Sequence, residues 1–492
     1  MVAVLSPRLF IDRIAIIMKT IFLSIYDGDQ EKIFLRSSFL DELKRAGHRI
    51  ILLIRAGEGD IGEKKIAYYA KEFGGERVIV EKVRAVAMTR KEYELYFYHV
   101  SWNSISSFTT RLKRHDLYLT HRNVFRYALE SVIGWLGHLY AWRQFIRWVY
   151  WMIPEHSLDS LFETYKPDLV FASNMFSPED CKLLKVAKKR KVPTVTTMKS
   201  WDVPTTRGFT RVMADRILVF NDVNKAETHA LGDYPLERIR VMGFPQFDVY
   251  TRKELILPRA EFFRKIGADP QKKLILFAVP GYFKHPNINE ILQGLNDAIT
   301  SGRISQPVQV LARFHPKYPS PAEQMKTLPH FILDRPGTYF GKQLETATDA
   351  PSAQTFQWTF TSDDIIHLAN SLFHSDVVVN VESTISLDAA AFDRPVIMIA
   401  YDGVQKQLEY WHSVRRNYDR EHFQAVLKSG GVRLAKTQDE LIVDLNRYLD
   451  DPACDAEGRQ RLREAVLYRV DGHSAMRAAQ YVLEMLVEKN PK

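Results

Sequence analysis

Along most of this chain, short continuous apolar runs alternate with longer segments of helical character. Residues 19–26 (KTIFLSIY), 48–54 (HRIILLI), 168–172 (DLVFA), 192–198 (VPTVTTM), 216–220 (RILVF) and 239–244 (IRVMGF) read as strands. A strand covered by helices on both faces has no polar side to show, so this alternation predicts βαβ units around a parallel sheet. The rhythm lapses over 245–269, a polar stretch with prolines, and resumes at 273–280 (KLILFAVP), 307–314 (PVQVLARF), 376–381 (DVVVNV) and 395–401 (PVIMIAY). The expected fold class is α/β, with two doubly wound, Rossmann-like domains facing across a cleft at the carboxyl ends of their strands, where such sheets bind ligands. The expected division is an N-terminal extension over 1–17, a first domain over 18–248, a second over 249–460, and a C-terminal helix over 461–492 that packs back on the first domain.

Residues 1–17 are apolar enough to suggest a signal peptide, but Arg8, Asp12 and Arg13 interrupt them and no small-residue cleavage site follows. Met18 serves as well as Met1 for a start. One segment departs from the α/β rhythm. Residues 121–151 carry nine aromatic side chains and four of the eight tryptophans, Trp135, Trp142, Trp148 and Trp151, set among Arg122, Arg126, Arg143 and Arg147. A pair of core helices would account for this. So would helices lying in a membrane interface, with indole rings at headgroup level and arginines meeting anionic lipid. The longest uncharged run, 131–142, is too short to cross ~30 Å of hydrocarbon, so any association would be peripheral. The lysine run on 182–191 would add to it, or form a solvated face.

Hydrophobic residues make up 46% of the chain and charged residues 26%, the balance of a soluble globular protein rather than a fibre or a disordered segment. Lys and Arg number 68 against 59 Asp and Glu, and the net charge of +9 favours an anionic partner: nucleotide, phospholipid surface or nucleic acid. Nucleic acid loses ground, because no reader motif and no clustered basic face is present. Cys181 and Cys454 lie far apart without neighbouring ligand pairs, which argues against a disulfide framework or thiolate zinc site and for a reducing cytoplasm. The inner membrane face is the peripheral alternative.

Three elements carry candidate chemistry. In NVESTISLDAA (380–390), directly after a strand, Ser383 and Thr384 stand where a helix begins. Hydroxyls, free backbone N–H groups and the positive end of a helix dipole together suit a phosphate, although ordinary capping explains the same pair. Glu382 beside them is placed to accept from ribose hydroxyls or a base. In Arg313-Phe314-His315-Pro316-Lys317, a strand ends at a proline that cannot continue it, which turns His315 to the cleft edge. Arg313, His315 and Lys317 would neutralise or protonate a departing nucleotide phosphate. Gly281 follows the first strand of the same domain and completes the expected donor site. At the end of the first strand of the chain stands Asp27-Gly28-Asp29, where a carboxylate would take an acceptor proton; a magnesium pair is the other use of Asp-x-Asp, but the phosphate site lies in the other domain. No metal and no cofactor is therefore expected. Walker, Gly-x-Gly-x-x-Gly, His-Glu-x-x-His and Gly-x-Ser-x-Gly motifs are absent from the sequence.

On these residues the chain resembles bacterial GT-B glycosyltransferases, and more narrowly the group of CDP-glycerol glycerophosphotransferases and sialyl- and Kdo-transferases. In that group a His-Pro motif and a Ser/Thr pair bind the donor's phosphates and an acidic residue near the first strand is often the base. The resemblance implies those roles for His315-Pro316, for Ser383-Thr384 and for Asp27 or Asp29. Ser200-Trp201-Asp202, GFPQFD (243–248), 375–396 and Asp471-Gly472-His473-Ser474 are similar to envelope-polysaccharide proteins of this type, and the first of these is expected in the cleft. Asn380-Val381-Glu382 departs from the Asp-Tyr common in glycerophosphotransferases, which leaves the transferred group open. The implied function is transfer of a sugar from a CMP-, CDP- or UDP-type donor to a hydroxyl of an envelope glycan or lipid-linked acceptor, without a metal. The alternatives are a nucleotide-sugar 2-epimerase on the same fold and, behind it, a nucleic-acid-binding module.

Overall fold

The computed structural model describes residues 18–84, 93–281, 285–315, 325–340, 358–404 and 406–487. The expected extension 1–17, and Pro316 and Lys317 of the His-Pro element, lie outside them.

Seven parallel strands form the first sheet: β1 (Thr20–Ile25), β2 (Arg49–Ala56), β3 (Val78–Arg84), β4 (Leu169–Ala172), β5 (Thr194–Thr197), β6 (Arg216–Val219) and β7 (Ile239–Val241). Their order is β3-β2-β1-β4-β5-β6-β7, the doubly wound arrangement with its switch point between β1 and β4. The second sheet takes β8 (Lys273–Val279), β9 (Val308–Phe314), β10 (Phe331–Asp334), β13 (Val377–Asn380), β14 (Val396–Ile399) and β15 (Arg433–Ala435), in the order β10-β9-β8-β13-β14-β15. A two-stranded antiparallel ribbon, β11 (Thr338–Tyr339) and β12 (Trp358–Thr359), stands apart from it. Central strands are largely apolar and buried, most completely in β14, and each was legible as such. The edge strands β3, β10 and β15 were not expected. They are partly exposed and carry Glu81, Lys82, Asp334 and Arg433, so their sequence lacks the continuous apolar run.

The domains touch at several points that also shape the cleft. Trp358 of the ribbon packs so tightly over the first domain that a Cβ on Gly28 would fall 2.8 Å from its ring. Thr359 hydrogen-bonds the buried Glu31 carboxylate, and Arg36 donates to the Phe360 carbonyl at 3.1 Å. At the far end of the chain the helix Ser474–Val487 crosses back to the first domain, where Arg216 meets Glu484 at 3.0 Å. Two of the sequence motifs serve that docking. Asp248 of GFPQFD accepts the backbone N–H groups of Ser474 and Ala475, at 3.0 Å and 2.8 Å, and so caps the helix. Gly243 adopts φ 88°, and any Cβ there would meet the Ser474 hydroxyl at 2.5 Å.

Candidate functional site

A cleft of about 430 Å³ opens between the carboxyl ends of the two sheets. The loops after β1 and β5 supply Asp29, Lys32 and Lys199 to Asp202 from the first domain; those after β8, β9 and β13 supply Pro280, Gly281, His315 and Glu382 to Ile385 from the second. Parallel strands all end on the same edge, which is why segments so distant in sequence converge here. Of the residues singled out from the sequence, Asp29, Ser200, Trp201, Asp202, Gly281, Arg313, His315, Glu382, Ser383 and Thr384 line this one cleft.

The turn after β13 is built for more than capping. Glu382 sits at φ 47°, in the left-handed region that a glutamate enters only when its surroundings hold it there. Tyr418 OH accepts its backbone N–H at 3.1 Å and Arg420 pairs with its carboxylate at 2.6 Å. The short helix Ile385–Ala391 follows, and no side-chain hydrogen bond caps it from Thr384; Ser383 Oγ accepts only a long 3.4 Å contact from the Ile385 N–H. Capping therefore accounts for no more than that one long contact, and both residues line the cleft. Arg313 is buried and already paired with Asp334, whose carboxyl stays near about 2 because Arg313 and His367 outweigh the cost of its burial. Its charge reaches the cleft partly compensated. His315 lines the cleft from an exposed position.

The Asp-x-Asp element is arranged differently from expectation. Asp27 is buried, caps the following turn by accepting the Gln30 N–H at 3.1 Å, and does not line the cleft. Lys199 Nζ bridges Asp27 at 2.9 Å and Asp29 at 2.8 Å. Although burial opposes its charge, the two carboxylates hold the Lys199 ammonium above the ordinary lysine range. The ion pair with Lys199 and the cap on Gln30 make Asp27 a structural carboxylate. Replacing Asp27 by alanine is expected to lower stability by about 1 kcal/mol through loss of the cap while activity stays within a few-fold, as read from a denaturant melt and a turnover assay on the same preparation.

Sequence reasoning missed His422, which lines the same cleft. His422, in the first turn of the helix Glu421–Lys428 of the second domain, sets its ring edge-on to Trp201 of the first, centroids 5.4 Å apart. Its pKa is lowered by burial, which outweighs the nearby Asp202, and its Nδ1 is buried without a hydrogen-bond partner among the described residues. Asp202 itself, against the cost of burial, is held below the usual carboxylate range chiefly by His422, with Ser200, Lys113 and Arg207 assisting. The indole Nε1 atoms of Trp201 and Trp358, both on the cleft wall, are likewise buried and unpartnered. Buried donors without acceptors are costly, and a ligand oxygen would satisfy them.

The aromatic segment forms two helices outside the cleft, Val124–Leu136 and Tyr140–Met152. Three of its expected lipid contacts need correction. Arg143 and Arg147 turn inward, both held by Asp233 at 2.7 Å, because that carboxylate supplies the partner a half-buried guanidinium requires. Trp142 is partly buried, donating its Nε1–H to Ser104 Oγ at 2.9 Å. Trp135, Trp148 and Trp151 remain exposed. Among the described residues no group of three or more His, Cys, Asp or Glu is placed to hold a metal ion, and no helix is long and apolar enough to cross a membrane.

No protein-family model matches the sequence, and no curated protein matches it. Solved structures do. A protein of Listeria monocytogenes assigned as a UDP-N-acetylglucosamine 2-epimerase superposes with a TM-score of 0.54 at 14% identity, over 97% of this chain and 99% of that one. UDP-GlcNAc 2-epimerase from Neisseria meningitidis, solved with UDP-GlcNAc, gives 0.52 at 12% identity over 96% and 100%. S. aureus MnaA, solved with UDP, gives 0.51 at 12% over 96% and 99%. Transferases, among them the wall teichoic acid polymerase TagF at 0.49, also align, at a level that carries no argument about activity. What these likenesses show is the fold: the chain has the two-domain GT-B architecture, a pair of Rossmann-like parallel-sheet domains facing across a cleft.

Proposed function

We propose that this cleft binds a nucleotide-activated sugar and transfers the sugar to an acceptor hydroxyl. The observation that carries the reading is the convergence, on one interdomain cleft, of Ser383 and Thr384, neither held by a strong cap, the His315 imidazole, and His422 and Asp202 opposite. Nucleotide phosphates suit the first set. Ser383 and Thr384 donate to phosphate oxygens, and His315 faces the charge that grows on the leaving phosphate as the anomeric bond breaks. Glu382, fixed by Arg420, accepts from the donor's hydroxyls.

The acceptor side needs a base. Among the groups facing the cleft, His422 suits it better than Asp29: a histidine whose pKa lies below its ordinary value is neutral near pH 7 and has a lone pair to offer, whereas Asp29 is engaged by Lys199. In the proposed step the acceptor O–H proton passes to His422, the acceptor oxygen bonds the anomeric carbon, and the nucleotide phosphate departs with the electron pair of the broken bond. Asp202 stabilises the imidazolium that forms, and Asp29 with Lys199 orients the acceptor. An envelope glycan or a lipid-linked sugar fits as acceptor, and the donor as a CMP-, CDP- or UDP-sugar.

Epimerisation is the second reading, favoured by the names of the structures above. The two separate cleanly. Incubated with a nucleotide sugar alone, an epimerase interconverts the donor at C2, visible by proton NMR of the anomeric signals; the proposed transferase leaves the donor's configuration intact and releases nucleotide only when an acceptor is added. Conversion of the donor at C2 without acceptor would overturn the transfer reading.

A further inference from the structure

The helices Val124–Leu136 and Tyr140–Met152 each present an apolar row to water. Three of their charged side chains point in: Glu130 is buried, where the partly exposed Arg126 reaches it at 2.8 Å, and Arg143 and Arg147 close on Asp233. Ile146 and Tyr150 are buried in the core, but other apolar side chains of both helices point out. On the first helix Phe125 is 80% exposed and Trp135 67%, with Leu129 and Val132 between them; on the second, Phe145, Trp148 and Met152 recur at helical spacing with 51, 59 and 62% exposure. Isolated exposed apolar residues are ordinary, but exposed apolar rows on two consecutive helices mark an interaction surface.

Charge around the face identifies the occupant. At one end Lys189 reaches to 5.7 Å from the Trp151 ring, with Lys191 exposed beyond it. At the other, a cavity of about 500 Å³ opens beside Trp135 and is lined by Arg111, Arg114 and His115. Arg114 Nε and His115 Nδ1 are buried there without hydrogen-bond partners among the described residues. An apolar, tryptophan-bearing face bordered by the exposed Arg111, Lys189 and Lys191 matches acyl chains below and anionic headgroups around. We infer that this face docks flat on an anionic bilayer. Each helix has 13 residues, about 20 Å of length, which suits lying in the interface rather than crossing ~30 Å of hydrocarbon. The surface lies apart from the cleft and the inference does not rest on the transfer reading.

The test is co-sedimentation of the full chain with phosphatidylcholine vesicles, with and without phosphatidylglycerol, at low and high salt. The parent is expected to bind the anionic vesicles, more weakly as salt rises, since the cationic rim is screened over ~8–10 Å. The variant F125S/W148S/M152S alters only outward side chains, so it is expected to keep the parental melting temperature and lose roughly tenfold or more in vesicle affinity. K189E/K191E is expected to weaken binding only to the anionic vesicles. A parent that ignores anionic vesicles at low salt overturns the inference. So does a parent that dimerises through this face, shown by light scattering as a dimer that the triple variant converts to monomer, with no vesicle binding by either.

Discussion

Alanine at both Ser383 and Thr384 is expected to weaken nucleotide binding by about 2–4 kcal/mol, roughly 30- to 1,000-fold, with little change in stability. Hydrogen bonds to a charged phosphate are the strong kind, and a phosphate that loses two donors inside a partly enclosed cleft recovers water only in part. The stability half of the expectation follows from the geometry at the helix start. Thr384 makes no capping hydrogen bond and Ser383 only a 3.4 Å one, so the usual cost of removing a cap does not apply. Isothermal titration with a nucleoside diphosphate, beside a thermal melt, reads both halves. A variant that melts well below the parent and still binds nucleotide normally would return the pair to a structural role.

The second large effect is expected at His422. Replacing it by alanine is expected to leave nucleotide affinity within a few-fold and to slow transfer by about 10²–10⁴, the range for loss of a general base. Asp29→Asn is expected to cost less, about tenfold, through acceptor positioning, because Lys199 already holds that carboxylate. The pH profile separates the roles: with His422 as base, the acid limb of kcat/KM reports an imidazole whose pKa burial keeps low, and that limb disappears in the alanine variant. The opposite ranking, with Asp29→Asn the more damaging, would restore the base to the first-strand turn.

Much of the architecture was legible because its central strands are buried on both faces. A residue run such as Leu274 to Phe277 has no polar position to spare, and the sequence shows that directly. Where one face meets solvent, as at β3 or β10, the signal dissolves into ordinary polar composition. The same contrast runs through the site. Ser383-Thr384 and His315 sit immediately after strands, so local pattern and topology together placed them at the cleft. His422 and Lys199 have no such local signature. A lone histidine near a helix start gains meaning only when the second domain faces the first, and a lysine before Ser200 only when the loops after β1 and β5 meet at one sheet edge; both are tertiary facts. The aromatic segment shows the converse. Its composition was visible, but the direction of each side chain depends on Asp233, 80 or more residues away, which draws Arg143 and Arg147 inward and leaves the indoles outside.

The central claim is that nucleotide phosphates lie between the two domains, on the hydroxyls that follow β13. A crystal structure with a bound nucleoside diphosphate tests it most directly. The account predicts phosphate oxygens within hydrogen-bond distance of Ser383 and Thr384, His315 beside them, and the open end of the diphosphate pointing across the cleft toward His422 and Asp202. A nucleotide seated wholly against the first domain, or outside this cleft, would contradict it.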